Sequence, residues 1–242
     1  MPQIYEVTRR SLPSVVNEGV GQQARCGRYG ERLTRILIPP PAALCDEGTY
    51  FKAINGTVET GISAAITAAF SSTAAFLLMT SAASGNLRIY PHYFRMIPRT
   101  VPASATRMEG VVAIDSQARF SSGGTQITTL PNANMDSSFT SVLTRVQVGA
   151  VVLNAESGSI RRLSRFQGRS AIPVAFEEFV FLFNQMDHDF NTLGGATAGR
   201  QVVNCGPVIL GPGSHSMSLH LWWPGNAVTA GVWEFELAWW ER

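Results

Sequence analysis

Residues 207–242 read PVILGPGSHSMSLHLWWPGNAVTAGVWEFELAWWER, and this stretch decides the fold of the chain. In 215–223 apolar residues alternate with serine and histidine, which is the period of a β-strand with one buried face. After the turn signal Pro224-Gly225-Asn226, residues 232–240 alternate in the same way. The pattern predicts two antiparallel core strands, of which the last is central to the fold.

All five tryptophans lie in this stretch, and four of them divide into two groups. Trp233 and Trp239 share the apolar face of the last strand, which predicts core packing. Trp222 and Trp240 are out of phase with the buried faces of their strands. We expect these two side chains to be exposed and to form a subunit contact or, alternatively, a platform on which sugars stack.

Upstream of this stretch the chain shows short apolar alternations separated by turn signals, without a sustained helical period. Further strands are predicted at 74–80, 86–97, 107–115, 142–153 and 175–184, and polar loops at 116–138, 154–170 and 185–206. Residues 61–73 form either a short helix or an irregular segment. Eight to ten strands in this arrangement predict an all-β sandwich or jelly roll.

Two of these strands carry a specific expectation. Pro91 cannot donate a hydrogen bond to a neighbouring strand, so the strand at 86–97 lies at a sheet edge or contains a bulge. The strand at 175–184 is apolar on both faces, because Phe179 and Phe181 alternate with Val180 and Leu182. It should be buried on both sides, against a second sheet or a neighbouring subunit.

The composition favours a protein that contacts other proteins. Charged residues make up 15% of the chain, well below the usual quarter, so much of the surface is expected to face protein. A net charge of +2 is too small for a genome-packing protein, and nucleic acid is not the expected partner. Lys52 is the single lysine beside eighteen arginines, and arginine is the cation suited to bidentate interface contacts, although GC-rich coding also favours it.

Two groups of arginines are candidates for an interface. One lies in the predicted loop 154–170 and could contact a phosphate or an acidic neighbour, or remain as solvated charge; its members are Arg161, Arg162, Arg165 and Arg169. The other includes Arg9 and Arg10 in residues 1–48, where glycines and a Pro39-Pro40-Pro41 spacer predict an N-terminal arm followed by a domain at 49–242. The arm either binds nucleic acid or reaches across a neighbouring subunit.

Candidate chemistry in the sequence is sparse. The cluster Met186-Asp187-His188-Asp189 is interpreted as a solvated loop tip in preference to a metal site. His215 and His220 are five residues apart, so on one strand they point to opposite faces and cannot chelate together. The glycines of 19–24 fit a dinucleotide pattern only by their letters. We therefore expect no enzyme activity, no metal and no cofactor.

The cysteines and the amino terminus bear on the compartment. Cys26, Cys45 and Cys205 are odd in number and irregularly spaced, which indicates neither a disulfide framework nor a zinc site. No signal peptide and no membrane-spanning stretch is recognised. We expect folding in a reducing cytoplasm and no membrane partner.

Several short motifs resemble the jelly-roll virion proteins of tailed bacteriophages. They are Gly211-Pro212-Gly213 before an alternating strand, Pro224-Gly225, the closing WEFELAWWER, Ala68-Ala69-Phe70 and the segment RFSSGGT at 119–125. The resemblance covers about 49–242. It implies a non-enzymatic virion structural protein, most concretely a capsid decoration or cement protein, that assembles in the bacterial host cytoplasm as a homo-oligomer, with a trimer favoured, and contacts the major capsid protein or another virion protein. A receptor- or carbohydrate-binding β module of a tail fibre or baseplate is the alternative.

Overall fold

The computed structural model describes residues 44–55, 59–64, 67–100, 108–156, 159–167, 176–183, 200–224 and 231–242. These residues form twelve β-strands: β1 (Tyr50–Ile54), β2 (Ile62–Ala64), β3 (Ala74–Ser81), β4 (Ile89–Thr100), β5 (Glu109–Asp115), β6 (Phe120–Gln126), β7 (Leu143–Leu153), β8 (Arg161–Gln167), β9 (Glu178–Leu182), β10 (Arg200–Asn204), β11 (Ser216–Trp222) and β12 (Gly231–Glu241). The all-β fold predicted from the sequence is confirmed, with more strands than the eight to ten expected.

The strands form two six-stranded sheets in a sandwich-like arrangement. Sheet I has the order β1-β12-β4-β9-β10, and β2 pairs with the part of β12 that β1 leaves open. Sheet II has the order β6-β7-β3-β11-β5-β8. The last two strands of the chain therefore lie in different sheets. β12 is flanked on both sides, which confirms that the final strand is central.

The core lies between the two sheets and is built from the alternating residues of β11 and β12. Trp233 and Trp239 of β12 are fully buried, as predicted, and belong to one apolar cluster with Met217 and Leu219 of β11. Phe51 of β1 stacks on Trp239 with ring centroids 5.6 Å apart. Burial of such large aromatic side chains supplies much of the driving force for folding.

The strand that contains Pro91 carries the predicted bulge. β4 is an interior strand, and its pairing with β12 passes from Tyr93 opposite Ala238 directly to Pro91 opposite Trp239. His92 is the extra residue, so β12 keeps its own alternation while the chain of β4 shifts by one position.

Three predicted loops contain strands. The predicted loop 116–138 includes β6, the loop 154–170 includes β8, and the loop 185–206 includes β10. Each of these strands lies at the end of a sheet, so one partner strand holds it and a strong apolar pattern is not required. Residues 61–64 and 67–73 contain no helix; they hold β2 and an irregular segment.

β9 is buried much as expected. Phe179, Phe181 and also Val180 on the opposite face are each at most 2% exposed, and Leu182 is half-buried. The compact unit of the sandwich runs from Leu44 to Arg242, so it begins five residues before the predicted domain start at 49. The Asn132 side chain fixes the segment that enters β1 by donating a hydrogen bond to the Gly48 carbonyl at 2.6 Å.

Candidate interaction surfaces

One side-chain cluster covers the outer face of sheet I, and we call it the aromatic face: Tyr50, Tyr90, His92, Tyr93 and Trp240. The register places Tyr50 of β1 opposite Trp240 of β12, and Trp240 opposite Tyr90 of β4. The rings of Tyr90 and Trp240 stack with centroids 5.3 Å apart and planes 1° apart. Trp240 thus lies on the face predicted for it, half-buried by neighbours that the sequence analysis did not single out.

The bulge in β4 adds His92 to the aromatic face. The Tyr50 hydroxyl and His92 Nδ1 share a hydrogen bond of 2.6 Å, and the imidazole packs edge-on against the Trp240 ring with centroids 5.9 Å apart. Burial lowers the pKa of His92 and raises the pKa of Tyr50, where the nearby Tyr93 adds to the effect. Both groups are therefore neutral near pH 7, which leaves the patch aromatic and uncharged.

A charge ladder continues the outer face of sheet I beyond the aromatic rings. It contains three cations and three carboxylates: Lys52, Arg95, Arg99, Glu178, Glu234 and Glu236. Lys52 and Arg95 reach Glu236 at 2.8 and 3.0 Å, Arg99 reaches Glu234 at 2.8 Å, and Arg95 also pairs with Glu178. The three cations and three carboxylates of the ladder balance one another in charge.

Glu236 is the centre of this ladder. Burial raises the pKa of Glu236, but hydrogen bonds from Lys52 and Tyr93 and the charge of Arg95 outweigh that effect, so its pKa is lowered overall. The carboxylate stays ionised at neutral pH and fixes Tyr93 within the aromatic face.

The second candidate surface is β8, and here the predicted loop is wrong. Arg161, Arg162 and Arg165 lie on an exposed edge strand that pairs only with β5 among the described strands. Arg165 reaches the buried Glu109 at 3.2 Å while 69% of its own side chain is exposed. Arg162 pairs with Glu156 and lies over the ring of Phe70 at 5.5 Å. We call these three arginines, with the exposed Leu163, the arginine edge.

The expectation that Trp222 is exposed is wrong. Its side chain points to the outer face of sheet II but is only 7% exposed, because Phe70 packs on it edge-on with centroids 5.4 Å apart. The segment that holds Phe70 is attached to β11 by a hydrogen bond from the Trp223 amide to the Thr67 carbonyl. Local alternation predicted the direction of Trp222 but not the segment that folds over it.

The same cover encloses a serine and histidine pair. Ser218 Oγ lies 2.9 Å from His220 Nε2, and His220 Nδ1 lies 2.7 Å from the Ala74 carbonyl. A proton on Nδ1 would make Nε2 an acceptor for the serine hydroxyl, which is the relation of a nucleophile to its base. Both residues are at most 3% exposed, and Phe70 packs edge-on against the His220 ring with centroids 5.6 Å apart. The pair is therefore a satisfied internal hydrogen-bond network.

The described residues contain no group of three histidine, cysteine, aspartate or glutamate side chains placed to hold a metal ion. A cavity of about 190 Å³ lies near Ser81, Leu87, Val142 and Pro212, and no titratable side chain lines it. Among the residues that the structure describes, no helix is long and apolar enough to cross a bilayer.

Several sequence predictions fall on residues outside the described ranges. These are Arg9 and Arg10 with the arm up to residue 43, Arg169, the 186–189 cluster and the glycines of 19–24. They stay predictions.

The structure thus brings Trp222, Arg162 and Arg165 to one side of the sandwich, on sheet II, and places Trp240 on the outer face of sheet I. Comparisons with protein-family models, with curated proteins and with solved structures find no match to this chain.

The residues missed by sequence reasoning are the partners of Trp240. Tyr50 and Tyr90 are far from Trp240 in the chain and become its neighbours only through the register of three strands. The signal in the sequence for an aromatic face is the pair Tyr90 and His92, which are two residues apart in a predicted strand. The bulge that also turns Tyr93 outward could not be located from the sequence.

Proposed function

We propose that this protein is a non-enzymatic structural subunit that works by assembly, most concretely a decoration or cement protein of a viral capsid. The aromatic face carries the proposal. It combines a stacked tyrosine and tryptophan pair with two further tyrosines and a histidine, fixed by hydrogen bonds on a rigid sheet. Tyrosine, tryptophan and arginine are the residues that contribute most to protein interfaces.

The charge balance of the ladder indicates which kind of partner this face can accept. Three cations are paired with three carboxylates within the subunit, so a partner need not supply compensating charge. Rigid aromatic rings lose little conformational entropy on binding, which favours a preorganised contact. We propose that another copy of the chain occupies this face in a homo-oligomer, with a trimer favoured by the virion resemblance alone.

The virion role rests on the sequence resemblance, and the β-sandwich is compatible with it. In this role the oligomer attaches to the major capsid protein or another virion protein, and the N-terminal arm reaches across a neighbour. No residue acts as a catalyst.

A glycan-binding module is the second candidate, because a tyrosine and tryptophan platform with adjacent hydroxyl and imidazole groups is also suited to stacking sugar rings. Cosedimentation with isolated capsids and binding to an array of host surface glycans separate the two. We expect capsid binding that Trp240→Ala weakens and that Met135→Ala, at a 95% exposed loop position, leaves unchanged. Glycan binding abolished by Trp240→Ala, without capsid binding, would replace the assembly proposal.

A further inference from the structure

The arginine edge differs in chemistry from the aromatic face and calls for a different partner. Its three cations are matched by two carboxylates, Glu109 and Glu156, and Arg161 has no ion pair among the described residues. Glu109 is buried, whereas Arg162 and Arg165 expose 47% and 69% of their side chains. An approaching molecule therefore meets positive charge.

The edge also presents backbone groups. β8 is the terminal strand of sheet II, and no described strand pairs with its outer side. An extended chain can add to such an edge through main-chain hydrogen bonds, while side chains at alternate positions give specificity. Leu163 and Phe70, 42% and 39% exposed, supply apolar contacts beside the arginines.

The other terminal strand of sheet II, β6, is also an edge strand, yet it carries no positive charge. β6 pairs with β7 through two register shifts, has Gly123 and Gly124 at positive φ, and carries no charged side chain. Glycine bulges of this kind discourage strand addition. β8 has a single register shift in its pairing and runs regularly from Ser164 to Gln167.

We propose that the arginine edge binds an extended acidic segment of a partner protein, which adds to sheet II as a strand along β8. Carboxylates at alternate positions of that segment pair with Arg162 and Arg165, which lie opposite Ala113 and Val111 on one face of β5, whereas Arg161 lies opposite Ile114 on the other face and adds positive charge to the edge. The planar guanidinium groups donate to carboxylates in bidentate geometry. This inference does not depend on what occupies the aromatic face.

The test uses fluorescence anisotropy with a labelled ten-residue peptide of alternating glutamate and threonine. We expect binding that weakens with salt and falls by about tenfold in the triple variant Arg161→Gln, Arg162→Gln, Arg165→Gln. The matched control removes the same charge elsewhere with Arg88→Gln, Arg145→Gln and Arg242→Gln, and it should bind as the unmodified protein does. Methylation of every second backbone nitrogen in the peptide should abolish binding, because it prevents strand pairing.

Four results would overturn the inference. Equal binding of the methylated peptide would show a charge contact without strand addition. Binding of a ten-nucleotide oligothymidylate as tight as that of the peptide would make the edge a phosphate-binding surface. Equal loss of binding in the two triple variants would show attraction to the overall charge of the protein and not to this edge. If neither probe binds, the arginines only protect an open sheet edge from pairing.

Discussion

Glu241 ties the carboxyl end of the chain into the sandwich. Its carboxyl group is fully buried and accepts hydrogen bonds from the Val142 amide at 2.8 Å, from Trp239 Nε1 at 2.9 Å and from the Ser141 hydroxyl. The loop that enters β7 and the Trp239 side chain together make Glu241 an internal acceptor.

Glu241→Ala should destabilise the fold by about 3 kcal/mol, because it leaves buried donors without an acceptor. Glu47→Ala, at an exposed turn, is the control and should have little effect. Urea unfolding measures both. A Glu241→Ala protein as stable as Glu47→Ala would mean that the buried network contributes nothing.

Burial of His220 predicts a stability that depends on pH. Burial lowers its pKa, the charge of Arg119 acts in the same direction, and hydrogen bonds to the Ala74 and Ser71 carbonyls oppose the shift. In the unfolded chain the imidazole has a pKa of about 6.5, so below that pH the unfolded state binds a proton that the folded state does not.

The free energy of unfolding should therefore fall as pH drops from 7.5 to 5.5, by at most about 1.4 kcal/mol per pH unit for each histidine. His92, whose pKa is also lowered by burial, adds to this slope. His220→Gln should flatten the slope in urea unfolding measured across that range. An unchanged slope would show that His220 titrates alike in both states.

At the scale of elements, the sequence predicts the strands that have one apolar and one polar face. It does not predict β6, β8 and β10, which lie at sheet ends and pair with a single described strand. The period of two predicts β11 and β12 because each has one face of apolar residues that packs in the core. The residues of β8, RRLSRFQ, favour a loop because they show no apolar alternation, and only Phe166 is deeply buried. Pairing with β5, which is distant in the chain, makes it a strand.

The contact between β5 and β8 depends on Gly110. A Cβ at this position would lie 2.1 Å from the ring of Phe166, which is 2% exposed, and 2.9 Å from Leu221. Gly110→Ala should therefore destabilise the fold by about 1 to 3 kcal/mol through overpacking.

Thermal melting tests this packing, with Gly211→Ala as the control because the nearest atom to its Cβ is His215 Nδ1 at 3.4 Å. The double variant Gly110→Ala, Phe166→Leu should recover part of the loss. If Gly110→Ala melts with the unmodified protein, the two strands are more loosely packed than described.

At the scale of the whole molecule, the layers could be predicted but the distribution of strands between them could not. Consecutive strands β3, β4 and β5 alternate between the sheets, and so do β10, β11 and β12. This distribution decides that Trp240 gains tyrosine neighbours while Trp222 is covered. The alternation of residues within one strand shows which face a tryptophan lies on, but not which other segments pack beside it.

The compact unit from Leu44 to Arg242 predicts how the chain tolerates truncation. Deleting residues 1–43 should leave a sandwich with a cooperative thermal melt, because the unit contains the shared core. Attachment of the truncated protein to capsids should be weaker in cosedimentation. Loss of the cooperative melt would place part of the arm in the core.

The most direct test of assembly through the aromatic face is light scattering of the purified protein at micromolar concentration. We predict an oligomer for the unmodified chain and a folded monomer for Trp240→Ala, Tyr90→Ala, since loss of such anchors costs about 2 kcal/mol or more of association free energy. Trp239→Ala, from the core, should instead lose roughly 3 to 5 kcal/mol of folding stability. A monomeric unmodified protein, both alone and with capsids present, would contradict the account.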